Sequence, residues 1–334
     1  MSTFTIEMMK AEDLPTVVEL ENEAFATIFK KLLGAIPPGR PEGVRVANRF
    51  HRPDTVSIVL RDEQGVIQGV EYVKRMGRRG VVGPGAIRPN YQGRKAGTEV
   101  AAGVMTLARE QGSPLIDSVT FPTSPRHFNW HWQFGAVSVP ALFVTREAKP
   151  PLARVRTGLV VEHFSSLSEV AQVQALGEMK QITERFTPGF HVTADVHHVL
   201  HRKLGETLLV REGGRLLGFA VLHYGEGSEA FMDEQLLVQL LFVSPGEAHG
   251  EDAFHMLMGR AEELALELKL SMVGAMALSS RRATREALDE RNYQVKEIHQ
   301  HWVITGGDVS TILPELVQDT VVNRTEQFAL AEWR

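Results

Sequence analysis

Ile87-Arg88-Pro89-Asn90-Tyr91-Gln92-Gly93-Arg94-Lys95-Ala96-Gly97-Thr98 joins two segments of different period. Upstream, Val81 to Ile87 reads as a strand; downstream, Ala96 to Glu110 carries its apolar residues at helical spacing. A turn that opens a helix presents unpaired backbone N–H groups and the positive end of the helix dipole, which suits a phosphate. Gly93 and Gly97 let the backbone approach closely, and Arg94 and Lys95 add positive charge. An ordinary glycine turn with solvated charges has the same pattern, so the flanking context decides between them.

Working outward, Val56 to Leu60, the turn Asp62-Glu63-Gln64-Gly65 and Val66 to Val73 predict a β-hairpin. Before it, Ile6 to Met9 predicts a strand, and Asp13 is placed to cap a helix with apolar positions from Leu14 to Ile28. After the loop and its helix, Leu115 to Thr120 predicts a further strand. The same order returns about 150 residues later, which is the mark of an internal duplication. Leu159 to His163 is the first strand of the copy, and Ser166 with Glu169 forms a capping box. Thr207 to Val210 and Leu216 to His223 repeat the hairpin around Glu212-Gly213-Gly214. Leu236 to Val243, a helix over Asp252 to Lys269 and a strand over Ser271 to Leu278 complete it. Each half closes with a short helix and a final strand, Ala141 to Thr145 in the first. The expected division is 1–148, a Pro-containing linker at 149–156, a second unit at 157–306, and a tail at 307–334 with no assigned place.

Composition narrows the chemistry. The chain of 334 residues has no cysteine, and 36 basic against 41 acidic side chains give a net charge of −5. Disulfides, thiolate metal sites and Cys nucleophiles are thereby excluded. The acidic balance argues against nucleic acid as a partner. Leu236 to Val243 is far too short to span a bilayer, and the acidic start of the sequence lacks a signal-peptide pattern, so a cytoplasmic protein is expected. His197-His198-Val199-Leu200-His201 has metal-ligand spacing without a third ligand, so no metal is expected. Lys74 to Gly80 reads as a solvated basic hairpin tip.

At the opening loop the sequence resembles the GNAT superfamily of acyl-CoA N-acyltransferases, whose turn runs V-x-P-x-[YF]-[RQ]-G-x-G-[IVA]-G. Ile87, Pro89, Tyr91, Gln92, Gly93, Ala96 and Gly97 match, while Lys95 stands in place of the middle Gly. The element order extends the resemblance over both halves. It implies an α/β fold with a mixed sheet in each of two tandem units, whose fourth and fifth strands splay to admit a pantetheine arm. Gly83-Pro84-Gly85 supports this, because Pro inside a central strand demands a bulge or a missing ladder bond. The resemblance further implies acetyl-CoA as co-substrate, held by Gln92, Gly93, Arg94, Lys95, Ala96, Gly97 and Thr98, with Ile87 on the pantetheine and the Gly85 N–H on the thioester carbonyl. In the second half Glu251 and Asp252 fall at the matching helix start and would repel an anion, so that unit is read as degenerate.

Transfer to an amine also needs proton movements. In Ser124-Pro125-Arg126-His127-Phe128-Asn129-Trp130-His131-Trp132-Gln133-Phe134-Gly135, registration on Gly135 puts His131 in the family's general-acid Tyr position and Ser124 in its Asn position. His131 packed between two Trp residues as a structural side chain is the competing reading. Glu71 and Asp117 are the acids nearest by topology for a general base. The expected function is direct transfer of an acyl group to a primary amine, on a small molecule or peptide, in a ternary complex; a homodimer is compatible with it. The alternative is a non-catalytic acyl-CoA-binding or interaction protein on the same fold.

Overall fold

The computed structural model describes residues 4–33, 42–76, 79–83, 85–93, 95–113, 115–120, 137–151, 158–186, 190–230, 234–244, 249–278 and 282–304. Ser124, His131, Pro84, Arg94 and the tail at 307–334 lie outside them.

The first half runs β1 (Thr5–Met8), α1 (Leu14–Leu33), α2 (Glu42–Phe50), β2 (Thr55–Arg61), β3 (Ile67–Met76), β4 (Arg79–Val82), β5 (Ala86–Ile87), α3 (Ala96–Glu110), β6 (Leu115–Thr120) and β7 (Val137–Glu147). The second half runs β8 (Leu159–His163), α4 (Glu169–Phe186), α5 (Val192–His201), β9 (Gly205–Glu212), β10 (Arg215–His223), β11 (Gln235–Val243), α6 (Gly250–Glu267), β12 (Met272–Leu278), α7 (Arg282–Glu290) and β13 (Gln294–Ile304).

Strand alternation sorts the side chains onto two helical layers. In the first half Val59, Val70 and Tyr72 pack with Val17, Leu20 and Ala24 of α1, while Ile58, Leu60 and Val73 pack with Val100, Val104 and Ala108 of α3. The copy repeats this: Leu209 and Phe219 meet Met179 of α4, and Leu208 and Val210 meet Leu257 and Ala261 of α6. Each such buried aliphatic side chain contributes about 1.5–3 kcal/mol.

The strands form a continuous mixed sheet in the order β1-β2-β3-β4-β6-β13-β7-β12-β11-β10-β9-β8, with β5 on β3. The final strands are exchanged between the halves. β13 lies against β6 of the first half, from His299 opposite Thr120 to Ile304 opposite Leu115. β7 lies against β12 of the second half, from Met272 opposite Glu147 to Leu278 opposite Ala141. Each half's sheet is therefore completed by the other's last strand.

Four local expectations are corrected. Asp13 does not cap α1: its carboxylate accepts from the Lys10 N–H (2.9 Å) and from Arg61 (2.7 Å). The cap before α4 is Ser168, whose Oγ accepts from the Ala171 N–H; Ser166 instead donates to the His163 carbonyl. The strand expected over Val81 to Ile87 is two strands. Lys74 is not a solvated tip residue, because it lies inside β3 and pairs with Asp195.

Candidate active site

β4 runs parallel to β6 from Arg79 opposite Leu115 to Val82 opposite Ser118. The backbone then turns at Gly83 (φ +115°), a conformation that requires glycine, and β5 continues paired to β3 alone, with Ala86 opposite Val70 and Ile87 opposite Gly69. β5 has thus parted from β6. The Arg88 N–H points to the Gln68 carbonyl on β3, so the alternation of a strand turns the Ile87 N–H into the gap.

Glu71 occupies this gap. Its carboxylate lies so close over the Gly85 α-carbon that a Cβ at position 85 would overlap both oxygens. Glu71 is buried, burial pushes its pKa up to about 8, and its Oε1 accepts from the Tyr72 N–H at 3.1 Å. Behind it the Tyr72 hydroxyl donates to Glu21 (2.5 Å), and Arg49 donates to the same carboxylate (3.0 Å). Asp117 is also buried, but the pairing Lys74–Val81–Asp117 across β3, β4 and β6 puts it on the Lys74 side of the pleat. Glu71, opposite Ile58, leaves on the α3 side. The two acids expected as alternative bases therefore do not share a face.

The loop after β5, in which Arg94 lies outside the described residues, joins the strand to α3 through a tight turn. Pro89–Tyr91 forms a single 3-10 turn, Gly93 has φ +81°, and Lys95, immediately before α3, is left-handed at φ +67°. A left-handed residue there explains why the family pattern has Gly: a side chain costs about 1–2 kcal/mol in that conformation. Ala96, Gly97 and Thr98 form the first turn of α3, in which the Thr98 N–H donates to the Lys95 carbonyl (2.8 Å). Gln92 leans back on the Ile87 carbonyl (3.1 Å).

The second half keeps the splay, since β11 pairs with β12 only from Gln235 to Val238, but differs in what surrounds it. Glu251 and Asp252 lie in the first turn of α6. The residue matching Glu71 by hairpin register is Ala220. β11 stays paired to β10 through Val243, with a bulge at Gln239 in place of a break. Glu251, His255 and Glu290 bring ligand atoms within 4.8 Å of one another. However, the Arg291 guanidinium lies 3.4 Å from His255 Nδ1, which must accept, so the hydrogen sits on Nε2 and faces the carboxylates. His197 and His201 touch edge to face, with ring centroids 5.3 Å apart.

Sequence reasoning missed a charged cluster between the halves. Arg52 reaches Asp54 (2.7 Å) and Asp195 (3.0 Å), and Lys74 reaches Asp195 (2.5 Å). Arg45 donates to the Ala230 carbonyl, Asn48 to the Gly227 carbonyl (3.2 Å), and Arg49 lies 3.7 Å from Glu229. Burial works against the charge on Asp195, but Lys74 and Arg52 outweigh it and hold the carboxyl below its usual range. Burial brings His223 down to about 3 and the neighbouring His198 to about 4, so both are neutral. The signal available in the sequence was Arg45, Asn48, Arg49 and Arg52, a stripe at helical spacing that also fits a solvated face.

No protein-family model matches the chain, and no curated protein matches it. Solved structures do. A GCN5-related N-acetyltransferase from Sphaerobacter thermophilus is 15% identical with a TM-score of 0.64, over 92% of this chain and 98% of that one. A tandem GNAT protein from the clavulanic acid biosynthesis pathway is 13% identical with a TM-score of 0.62, over 92% and 100%. A GCN5-related glucosamine N-acetyltransferase region of a fungal multi-domain β-N-acetylglucosaminidase is 13% identical with a TM-score of 0.65, over 90% of this chain and 38% of that one. Among the described residues no helix is long and apolar enough to cross a membrane. With a splayed mixed sheet, a phosphate-type turn before its central helix and the whole order repeated, the chain has the GNAT fold in tandem.

Proposed function

We propose that the chain is an acetyl-CoA-dependent N-acyltransferase acting on a primary amine by direct transfer, with the chemistry in the unit at 1–148. The observation that carries this reading is the Glu71 carboxyl packed on Gly85, on the α3 side of the sheet, where β5 has parted from β6. The α3 turn from Gln92 to Thr98, with Arg94 and Lys95, would hold the pyrophosphate, and the Ile87 N–H the pantetheine arm. The Gly85 N–H would polarise the thioester carbonyl, a role for which one donor is worth about 3 kcal/mol.

In the reaction the amine nitrogen attacks the carbonyl carbon, an N–C bond forms, the C–S bond breaks, and one proton passes from nitrogen to sulfur. A carboxyl titrating at about 8 is matched to taking that proton near neutral pH, so Glu71 would be the base. His131 would return a proton to the thiolate, beside Ser124. The second unit, with Glu251 and Asp252 at the phosphate position, would carry no coenzyme and instead wall the acceptor site.

Thermal denaturation with acetyl-CoA, followed by a free-thiol assay over a panel of primary amines, tests the reading. At 100 times the Kd the ligand should stabilise the fold by about 2.7 kcal/mol. Absence of any shift would overturn the coenzyme assignment, and a shift without thiol release across the panel would leave the non-catalytic binding protein.

A further inference from the structure

Glu71 and Tyr72 stand on opposite faces of β3. Glu71 lies opposite Ile58, which packs with α3, whereas Tyr72 packs with Val17, Leu20 and Ala24 of α1. The main chain joins them, because the Tyr72 N–H donates to Glu71 Oε1 at 3.1 Å. Whatever fixes Tyr72 therefore bears on the candidate base from behind the sheet.

A buried set of charges fixes it. The Tyr72 hydroxyl donates to Glu21 Oε1 (2.5 Å), Arg49 donates to Glu21 Oε2 (3.0 Å), and the same guanidinium lies 5.4 Å from the centroid of the Tyr72 ring. Burial and the neighbouring Glu21 keep the hydroxyl protonated, so it remains a donor. Arg49 is shared with the second half, where Glu229 Oε1 lies 3.7 Å from its Nε. Burial works against the charge on Glu229, but Arg49 leads the groups that hold it down at about 2, so it is ionised at neutral pH. Arg45 and Asn48, on the same helix as Arg49, seat the segment around Glu229 through the Ala230 and Gly227 carbonyls.

Resting on the transfer reading above, we infer that Glu21 and Arg49 are positioning residues for Glu71, and that Glu229 brings the second half into the same support. None of the three need touch a substrate. The pair acts on Glu71 with opposite signs, Glu21 favouring the protonated carboxyl and Arg49 the ionised one. Among the described residues these are the charged groups that act on it, and on its own face it meets Gly85. A cation alone behind Tyr72 would draw the proton off Glu71, and a carboxylate alone would hold it on. Together they leave burial against Gly85 to decide.

The test follows Glu71 through stability, which needs no turnover. Unfolding free energies of the full chain are measured from about pH 5 to about pH 10, each variant with Glu71 and again with Glu71→Gln. The difference between the two falls as pH rises from about 4.5 and levels off where the folded carboxyl ionises, at about 8 in the wild type. Glu21→Gln should bring that point down by about one pH unit, Arg49→Gln should raise it by about as much, and Glu229→Gln, farther away, should lower it by less. Arg49→Lys, which keeps the charge, should stay near the wild type. Should Arg49→Gln fail to fold, the double variant Glu21→Gln/Arg49→Gln, carrying neither charge, takes its place and should also level off at about 8. A merely structural role predicts a fall in every variant, since loosened packing admits water to Glu71. A fall in both Glu21→Gln and Arg49→Gln, a fall in the double variant, or no movement in any would overturn the inference; an unmoved Glu229→Gln would remove the second half from it. The rising limb of kcat/KM, read from thiol release with acetyl-CoA, should shift with the stability curves. Shifted curves without thiol release would uphold the support of Glu71 and sink the transfer reading, and thiol release with unmoved curves would do the reverse.

Discussion

The Glu71 carboxylate fills the space that a side chain at residue 85 would need, so the acid and the bulge glycine are fitted to each other. Both lie where β5 has left β6, and Glu71 sits there buried, with its pKa pushed up by that burial. The candidate base and the candidate carbonyl donor are therefore set by one packing relationship.

Gly85→Ala should displace the Glu71 carboxylate or push the bulge outward, costing about 1–3 kcal/mol as an overpacking substitution. Acyl transfer should fall with it. Gly177→Ala, in the middle of α4 with open space around it, should instead stabilise by about 0.5–1 kcal/mol. Denaturation midpoints of the two variants check the pair; an unperturbed Gly85→Ala protein would contradict the packing.

Glu71→Gln should change two pH dependences. In the fold the carboxyl holds its proton up to about 8, whereas the unfolded chain releases it near 4.5, so wild-type stability falls as pH rises between those values, by at most a few kcal/mol. Gln, which cannot titrate, should remove that slope. In the wild type kcat/KM should climb with pH to a plateau near 8, and Glu71→Gln should lose this limb and about 10²- to 10⁴-fold in rate. A variant that keeps the rising limb would show that another group is the base.

Much of the architecture was legible because the two periodicities differ. β8 and β6 fall where the alternation of Leu159 to His163 and of Leu115 to Thr120 puts them, and α3 spans the helical spacing from Ala96 to Glu110. The Pro between Gly83 and Gly85 announced the break between β4 and β5. The exchange of β7 and β13 was not legible, since alternation reports which faces a strand buries and not which neighbour it joins. Nor was the pairing of Lys74 with Asp195: a charge is written the same way in sequence whether water or a second domain faces it. The general-acid assignment to His131 falls outside the described residues and rests on the family resemblance.

Acid should loosen the contact between the halves. His223, held neutral by burial down to about 3, takes a proton near 6.5 once unfolded, so stability is intact above 6.5 and is lost as pH falls from there toward 3. Denaturant titrations of wild type and His223→Phe at pH 7, 6 and 5 should show the wild type losing stability faster. Parallel losses would mean that His223 is not buried neutral.

The strand exchange predicts that 1–148 is not a self-sufficient unit. Alone it would expose the β6 edge that β13 covers and the β7 edge that β12 covers. Bare edges of this kind associate, so the fragment should elute as a dimer or larger species, or precipitate. A monomeric 1–148 with a cooperative melt close to that of the full chain would contradict the exchange.

Coenzyme binding by the first unit alone is tested by a calorimetric titration of the full chain with acetyl-CoA, repeated on Gly97→Glu and Gly250→Glu. One site per chain is expected, abolished by a carboxylate at the start of α3 and unchanged by one at the start of α6, where Glu251 and Asp252 already stand. Two equivalent sites, or full affinity in Gly97→Glu, would contradict it.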